Sequence, residues 1–370
     1  MLIGVPKEIK NHEYRAGMTP ESVQEAVKNN HQVMIETNLG IGIGASDEDY
    51  KNAGAEVVST ASEVFERAEM IVKVKEPQAV ERAMLRENQI LYTYLHLAPD
   101  PEQTKDLVNS KAVCFAYETI TASDGTLPLL KPMSQVAGRL SIQAGAKALE
   151  KSSGGLGALL GGVPGVNPAN VLILGGGVVG FNAAQMAVGL QADVTILDTN
   201  PNALERLNSY FGSQAKVLHS NKISLEEKVK QADLVIGGVL IAGAAAPKLV
   251  RRDMLKTMKK GAVLVDVAID QGGCFETSKP TTHSDPIYVV DDVVHYCVAN
   301  MPGAVPKTST YALNIATLPH LLTIANKGWK KAVKDNTHLA NGLNVVNGQV
   351  VYEIVAKELG YEYTPLNQVL

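Results

Sequence analysis

The stretch Val171-Leu-Ile-Leu-Gly-Gly-Gly-Val-Val-Gly-Phe-Asn-Ala-Ala-Gln-Met-Ala-Val-Gly-Leu-Gln-Ala-Asp-Val-Thr-Ile-Leu-Asp198 decides how the rest of the chain is read. It opens on a short apolar run, 171–174, of the kind that makes a buried parallel strand. Gly175, Gly177 and Gly180 follow at G-x-G-x-x-G spacing, and Ala183, Ala184, Ala187 and Val188 then recur with helical period. A second apolar run, 194–197, ends in Asp198. In a strand–turn–helix–strand unit the first glycine makes the tight turn. The second lets the backbone approach a pyrophosphate, and the third lets the helix pack on the strand. Unpaired N–H groups at the helix start face phosphate. Asp198 stands 23 residues beyond Gly175, where a carboxylate accepts hydrogen bonds from ribose hydroxyls and repels a 2′-phosphate. The unit is expected to bind a dinucleotide, NAD in preference to NADP.

The totals bound what surrounds this unit. A chain of 370 residues is long for one core, so two domains are expected. Lys+Arg 34 against Asp+Glu 38 gives a formal charge of -4 with no basic block, and nucleic acid is not an expected partner. No run of 18 apolar residues occurs, and Met1-Leu-Ile-Gly-Val5 reads as a strand rather than a signal peptide, so no membrane partner is expected either. Cys114, Cys274 and Cys297 are odd in number and lack zinc spacing. They read as reduced thiols in or near the core of a cytoplasmic protein, with no metal called for.

Before the fingerprint, strands are expected over 2–5, 31–36, 56–58, 70–75, 89–94 and 112–116, with helices between them. Thr19 before Pro20 is a helix start, an N-cap followed by proline at the first helical position. This is a second α/β unit, without glycine fingerprint. In open parallel sheets ligands bind beyond the carboxyl ends of the strands. Arg15 comes after the first strand, Lys75 ends the fourth and His96 lies just past the fifth. A guanidinium and an ammonium there would hold a substrate carboxylate, with histidine transferring protons. On the residues alone, ordinary surface cations and a hydrogen-bonded histidine are an equally open reading.

Residues 133–150 read as one long helix bridging two domains, with a glycine-rich apolar loop after it over 154–168. A second long helix over 308–324, interrupted near Pro319, carries the chain back. The expected fold is α/β with two Rossmann-like domains. A doubly wound nucleotide domain, 131–305, is inserted into a discontinuous substrate domain, 1–130 plus 306–370, through the two long helices. The run 262–270 reads as a buried strand with Asp270 at its carboxyl end, either a functional acid or a turn-capping aspartate beside Gly272 and Gly273. Asp266, inside that apolar run, needs a partner if it is charged and buried.

Several motifs together carry a more specific signal: Gly4-Val-Pro-Lys-Glu8, Asn11-His-Glu-Tyr-Arg-Ala-Gly-Met-Thr-Pro20, Val72-Lys-Val-Lys-Glu-Pro77, Tyr92-Thr-Tyr-Leu-His96, Pro132-Met-Ser-Gln-Val-Ala-Gly138, the fingerprint, Val267-Ala-Ile-Asp-Gln-Gly-Gly273 and Asn300-Met-Pro-Gly-Ala-Val-Pro-Lys-Thr-Ser309. With them the chain closely resembles the bacterial L-alanine dehydrogenase family along essentially its whole length. The resemblance implies reversible NAD-dependent oxidative deamination of L-alanine to pyruvate and ammonium by a homohexamer. It implies Arg15 and Lys75 on the substrate carboxylate, His96 in proton transfer, and Asp270 at the amino group and attacking water. Tyr94, Met133, Asn300 and Met301 would wall the pocket. On the cofactor side it implies Ser134 at the nicotinamide and Gly175, Gly177, Val178, Val179 and Gly180 at the turn. Asp198 would take the adenosine ribose and Ser220 the adenine end, with Val239, Leu240 and Ile269 completing the contacts alongside Asp270, Asn300 and Met301. Ala242 and Ala245 depart from the family, which commonly has a proline and a lysine in that loop. The nearest competing resemblance is the NAD-binding part of proton-translocating transhydrogenase, which typically lacks a histidine at the place of His96. A non-enzymatic NAD sensor would keep the glycines and Asp198 without needing Arg15, Lys75, His96 and Asp270 together.

Overall fold

The structure, a computed structural model, describes residues 1–239 and 246–370; Leu240, Ala242 and Ala245 lie outside the described residues. The chain divides into two compact units, Met1–Met133 with Gly303–Leu370, and Ser134–Pro302. Both are α/β, with helices packed on a largely parallel sheet.

The sheet of the first unit has eight strands, in the order Gln349–Val350, Leu343–Val346, Val113–Ala116, Ile90–Thr93, Met70–Val72, Leu2–Val5, Gln32–Glu36, Glu56–Val58. The last six run parallel. The first two form an antiparallel hairpin around Asn347 and Gly348, whose positive φ values suit a tight two-residue turn. Strand residues Met34, Ile71, Leu91 and Cys114 pack with Val64, Phe65 and Leu107 of the helices Ala61–Arg67 and Pro101–Ser110 in one buried cluster. The helices start where side chains satisfy their first N–H groups. Thr19 accepts from Ser22 N at 3.2 Å and Asp100 from Gln103 N at 2.9 Å, each with proline next at a position that needs no donor.

The second unit repeats the plan. Among the described residues its seven strands lie in the order Ile287–Val290, Val293–Tyr296, Val263–Asp266, Leu234–Gly237, Asn170–Leu174, Asp193–Asp198, Ala215–His219. All but the first are parallel. In each unit the chain starts at a central strand, moves outward one way and then returns to build the other half. That leaves one switch point per sheet, beside Leu2–Val5 and Met70–Val72 in the first and beside Asn170–Leu174 and Leu234–Gly237 in the second. A crevice at such a point is where doubly wound sheets bind ligands.

Three elements differ from the sequence expectation. The strand expected to reach Lys75 ends at Val72, because Val74 and Lys75 N–H turn to the Glu8 carboxylate at 2.7 and 3.4 Å. The strand expected to reach Asp270 ends at Asp266, and Asp270 sits in the short 3-10 turn Ile269–Gln271. The cause is the Asp266 carboxylate, which accepts from Ala268, Cys274 and Phe275 N–H at 3.1, 2.9 and 3.3 Å and from the Ser278 hydroxyl, bending the chain. These are the partners its burial requires. The helix expected to break at Pro319 runs unbroken over Pro306–Lys327, anchored across the proline by buried Leu313, Asn314 and Thr317 before it and Leu321, Ile324 and Ala325 after it. Cys114, Cys274 and Cys297 are free and buried. Among the described residues no helix is long and apolar enough to cross a membrane.

Candidate functional site

At the switch point of the first sheet the loop after Leu2–Val5 meets the segment after Met70–Val72. Arg15 is 3% exposed, which without a counter-charge would be costly. Glu13, also buried, grips its fork from Oε1 to Nε at 2.7 Å and from Oε2 to Nη2 at 2.6 Å, while Nη1 lies 3.1 Å from the Met133 sulfur. Burial opposes the charge, but the Glu13 pairing prevails and holds the guanidinium above its ordinary pKa. Lys75 is largely buried, with Nζ 3.8 Å from Glu76, and its carbonyl accepts from the Thr93 hydroxyl at 3.0 Å. Tyr94 donates to the Leu129 carbonyl at 2.5 Å; burial raises its pKa so far that it stays a neutral wall. Its ring stacks on His96 at 5.9 Å with the planes 2° apart. His96 takes φ 50°, a left-handed conformation that turns the chain sharply out of the strand, and its side chain is 46% exposed. Arg15, Lys75, Tyr94, His96 and Met133 thus belong to one unit, the first four at the carboxyl ends of neighbouring strands.

The second unit holds the fingerprint. Gly175 takes φ 91° in the turn, and a Cβ there would meet the Gly238 carbonyl and the Val239 side chain at 3.0 Å. Gly177 caps the helix Val178–Gly189 with no side-chain bond to the first N–H groups, and the space beside it is open. Val178 and Val179 form that first turn. Asp198 accepts from Gly176 N at 2.6 Å and from Asn200 N at 2.8 Å, and Ser220 N donates to the Asp198 carbonyl at 2.8 Å. Gly180 is a packing glycine: a Cβ would lie 1.7 Å from the Gly175 carbonyl oxygen. Gly180→Ala is therefore expected to destabilise this unit by about 1–3 kcal/mol and to weaken dinucleotide binding, read by thermal melts and NADH titration. An unchanged melt and unchanged titration would remove the packing argument.

The remaining cofactor-side residues belong to the same unit. Ser134 opens it, in the helix Lys131–Ala148, and a Cβ on Gly138 would lie 2.3 Å from the Val179 carbonyl, so this helix presses on the fingerprint helix. Ile269 is buried and Asp270 exposed in the turn that Asp266 closes. Asn300 takes φ 63°, with His283 Nε2 donating to its carbonyl at 3.1 Å, and Met301 is buried.

Sequence reasoning missed the carboxylates that hold these groups. Glu13 lies two residues before Arg15 on the same loop. Glu118 accepts from Leu95 and His96 N–H at 3.2 and 2.6 Å, with Oε1 3.8 Å from the His96 ring nitrogen Nδ1. One signal was available: strands 90–93 and 113–116 are parallel and in register, so the residues just past their carboxyl ends must sit side by side. Glu8 accepts at 3.0 Å from Lys73, a fully buried cation that Glu81 also pairs at 2.7 Å.

Two family models match the chain: the alanine dehydrogenase/PNT N-terminal domain over residues 4–137, and the alanine dehydrogenase/PNT C-terminal domain over residues 141–353. The alanine dehydrogenase of Halomonas elongata is 58% identical over 363 residues, 98% of each chain. A solved L-alanine dehydrogenase superposes with a TM-score of 0.95 at 51% identity, covering 97% of this chain and 99% of that one. A transhydrogenase structure from Sinorhizobium meliloti, with a TM-score of 0.82 at 24% identity over 95% of this chain and all of that one, shares the fold. Matched by both models and by a full-length relative far above the level of chance, the chain belongs to the alanine dehydrogenase/PNT family.

Proposed function

We propose that the protein is an L-alanine dehydrogenase that uses NAD to interconvert L-alanine with pyruvate and ammonium. The observation that carries this reading is that Arg15, Lys75, Tyr94 and His96 follow three neighbouring parallel strands of the first sheet, with Tyr94 stacked on His96, a setting that suits a carboxylate-bearing substrate. The reading is reinforced by full-length similarity to alanine dehydrogenases. The second unit suits a dinucleotide: an uncapped helix start behind Gly177 for the pyrophosphate, and Asp198 for the adenosine ribose.

Arg15 and Lys75 bind the substrate carboxylate and fix the α-carbon, Arg15 through a fork that Glu13 keeps from swinging. Tyr94 and Met133 limit the side chain to a small one. His96 carries protons to and from the water that adds at the α-carbon, and Asp270 balances positive charge on the substrate nitrogen. NAD, when bound, supplies the hydride acceptor. Ser134, Val239, Ile269 and Ser220 complete the cofactor contacts. We further propose a homohexamer in the cytoplasm. Exposed Leu159, Val163 and Val166 offer apolar surface for subunit contact, and the three unpaired thiols suit a reducing compartment.

The direct test is NADH formation from L-alanine and NAD by the purified protein, with release of ammonium; no NADH from alanine would overturn the reading. Arg15→Lys is expected to raise the KM for pyruvate about tenfold or more, since a point charge replaces neither the fork nor its Glu13 clasp. The NADH dissociation constant should stay within about twofold, because Arg15 belongs to the substrate side. A matching loss of NADH affinity would move Arg15 to the cofactor.

A further inference from the structure

Asp198 shares Gly176 with a second charged side chain. Its Oδ2 accepts the Gly176 N–H at 2.6 Å, while Arg206 Nη2 donates to the carbonyl of the same glycine at 2.8 Å. Arg206 lies on the helix Pro201–Phe211, and the next residue, Leu207, is buried so tightly against the turn that a Cβ on Gly176 would stand 2.3 Å from Leu207 Cδ1 and 3.2 Å from Asp198 Oδ2. The helix, the turn and the strand end are therefore fixed against one another at this glycine. Arg206 is itself exposed and makes no ion pair among the described residues. One of its N–H groups is used by Gly176, and a guanidinium has five.

We propose that Arg206 is a masked 2′-phosphate-binding residue, so that the Asp198 carboxylate alone keeps the site selective for NAD. The inference rests on the reading that Asp198 takes the adenosine ribose. In dinucleotide sites an acid at this strand end binds the 2′-hydroxyl, whereas a nearby arginine accommodates a 2′-phosphate. This chain carries both, bonded to the two ends of one residue. With the carboxylate present, its charge repels the phosphate and its two N–H partners hold it in place. Without it, the planar fork beside the Gly176 carbonyl is the group left to receive a dianion. A role for Arg206 confined to bracing the turn would affect both cofactors equally, and this separates the two.

The test compares Asp198→Ser with Asp198→Ser/Arg206→Ala by direct titration of NADH and NADPH, read as the ratio of the two dissociation constants. Asp198→Asn, whose amide oxygen can still accept the Gly176 N–H, serves in a parallel pair should the serine variant unfold. Removing the carboxylate is expected to shift the ratio about tenfold or more toward NADPH, and adding Arg206→Ala to return it by about tenfold. If the double variants keep the single variants' ratio, or lose NADH and NADPH affinity by the same factor, Arg206 is only a brace and the proposal fails while Asp198 keeps its role. If neither Asp198 variant moves the ratio, the assignment of Asp198 to the ribose fails first and takes the proposal with it.

Discussion

His96→Asn is expected to lower alanine oxidation about a hundred- to ten-thousand-fold, the usual contribution of a positioned proton-transfer group, while the protein stays folded and still binds NADH. Asparagine is the informative replacement because position 96 has φ 50°, a conformation asparagine tolerates and alanine does not. The turn does not depend on the ring. Glu118 holds it through the backbone N–H groups of Leu95 and His96, at 3.2 and 2.6 Å. The ring is 46% exposed, so little apolar burial is lost with it. Its stacking on Tyr94 contributes about 0.5–1.5 kcal/mol by the usual measure of aromatic pairs. A histidine kept for structure predicts the opposite pattern: a lower melting temperature with near-normal turnover in the folded fraction. Single-turnover hydride transfer, with thermal melts of the same samples, separates these outcomes.

Much of the architecture was legible because its signals are local. Proline after Thr19 marks a helix start from the local sequence alone, and short apolar runs mark buried parallel strands. The errors arose where a distant side chain intervenes. Nothing in Met70-Ile-Val-Lys-Val-Lys75 reveals that Glu8 takes the N–H groups of Val74 and Lys75 and ends the strand early. Nothing in the run 262–270 reveals that Asp266 bonds to residues 274, 275 and 278. Pro319 looked like a break because local chemistry disfavours it, yet buried contacts on both sides override that cost.

The groupings at the proposed site were legible in a different way. Position after a strand marked Arg15 and His96, since the topology of a doubly wound sheet turns sequence position into spatial neighbourhood. Their carboxylate partners were harder to read. An isolated glutamate on a loop is ordinarily solvated, and only the burial of Arg15 shows that Glu13 must neutralise it. Asn300 escapes local reading too, because its φ of 63° belongs to a turn whose neighbours come from elsewhere in the chain. Motif resemblance named Asn300 where the physics of single residues did not, but it supplied neither Glu13 nor Glu118.

Lys73→Met is expected to cost about 3–5 kcal/mol, the penalty for stranding buried charge by removing one partner. Lys73 is fully buried between Glu8 at 3.0 Å and Glu81 at 2.7 Å, and both acids are buried as well. For a unit of this size each kcal/mol moves the melting temperature by about 2–4 °C, so the variant should melt roughly 6–20 °C lower. The loss should depend on pH in a definite sense. Burial holds the Glu8 carboxyl above its ordinary value of 4.5 even with Lys73 pulling it down, so removing the lysine raises it further. An acid whose folded pKa exceeds its unfolded one adds stability as pH falls through the folded value toward the unfolded one, and subtracts it above. The deficit should therefore be full near neutral pH and shrink as the solution is acidified from there toward 4.5. Glu8→Gln in the Lys73→Met background removes one of the two stranded carboxylates, Glu81 being the other, while its amide can still accept the Val74 N–H, and should recover part of the loss at neutral pH without acidification. Melting curves of the three proteins across that range decide the matter. A Lys73→Met protein that melts with the wild type, or a deficit that grows on acidification, would mean that Glu8 is already protonated or reached by water.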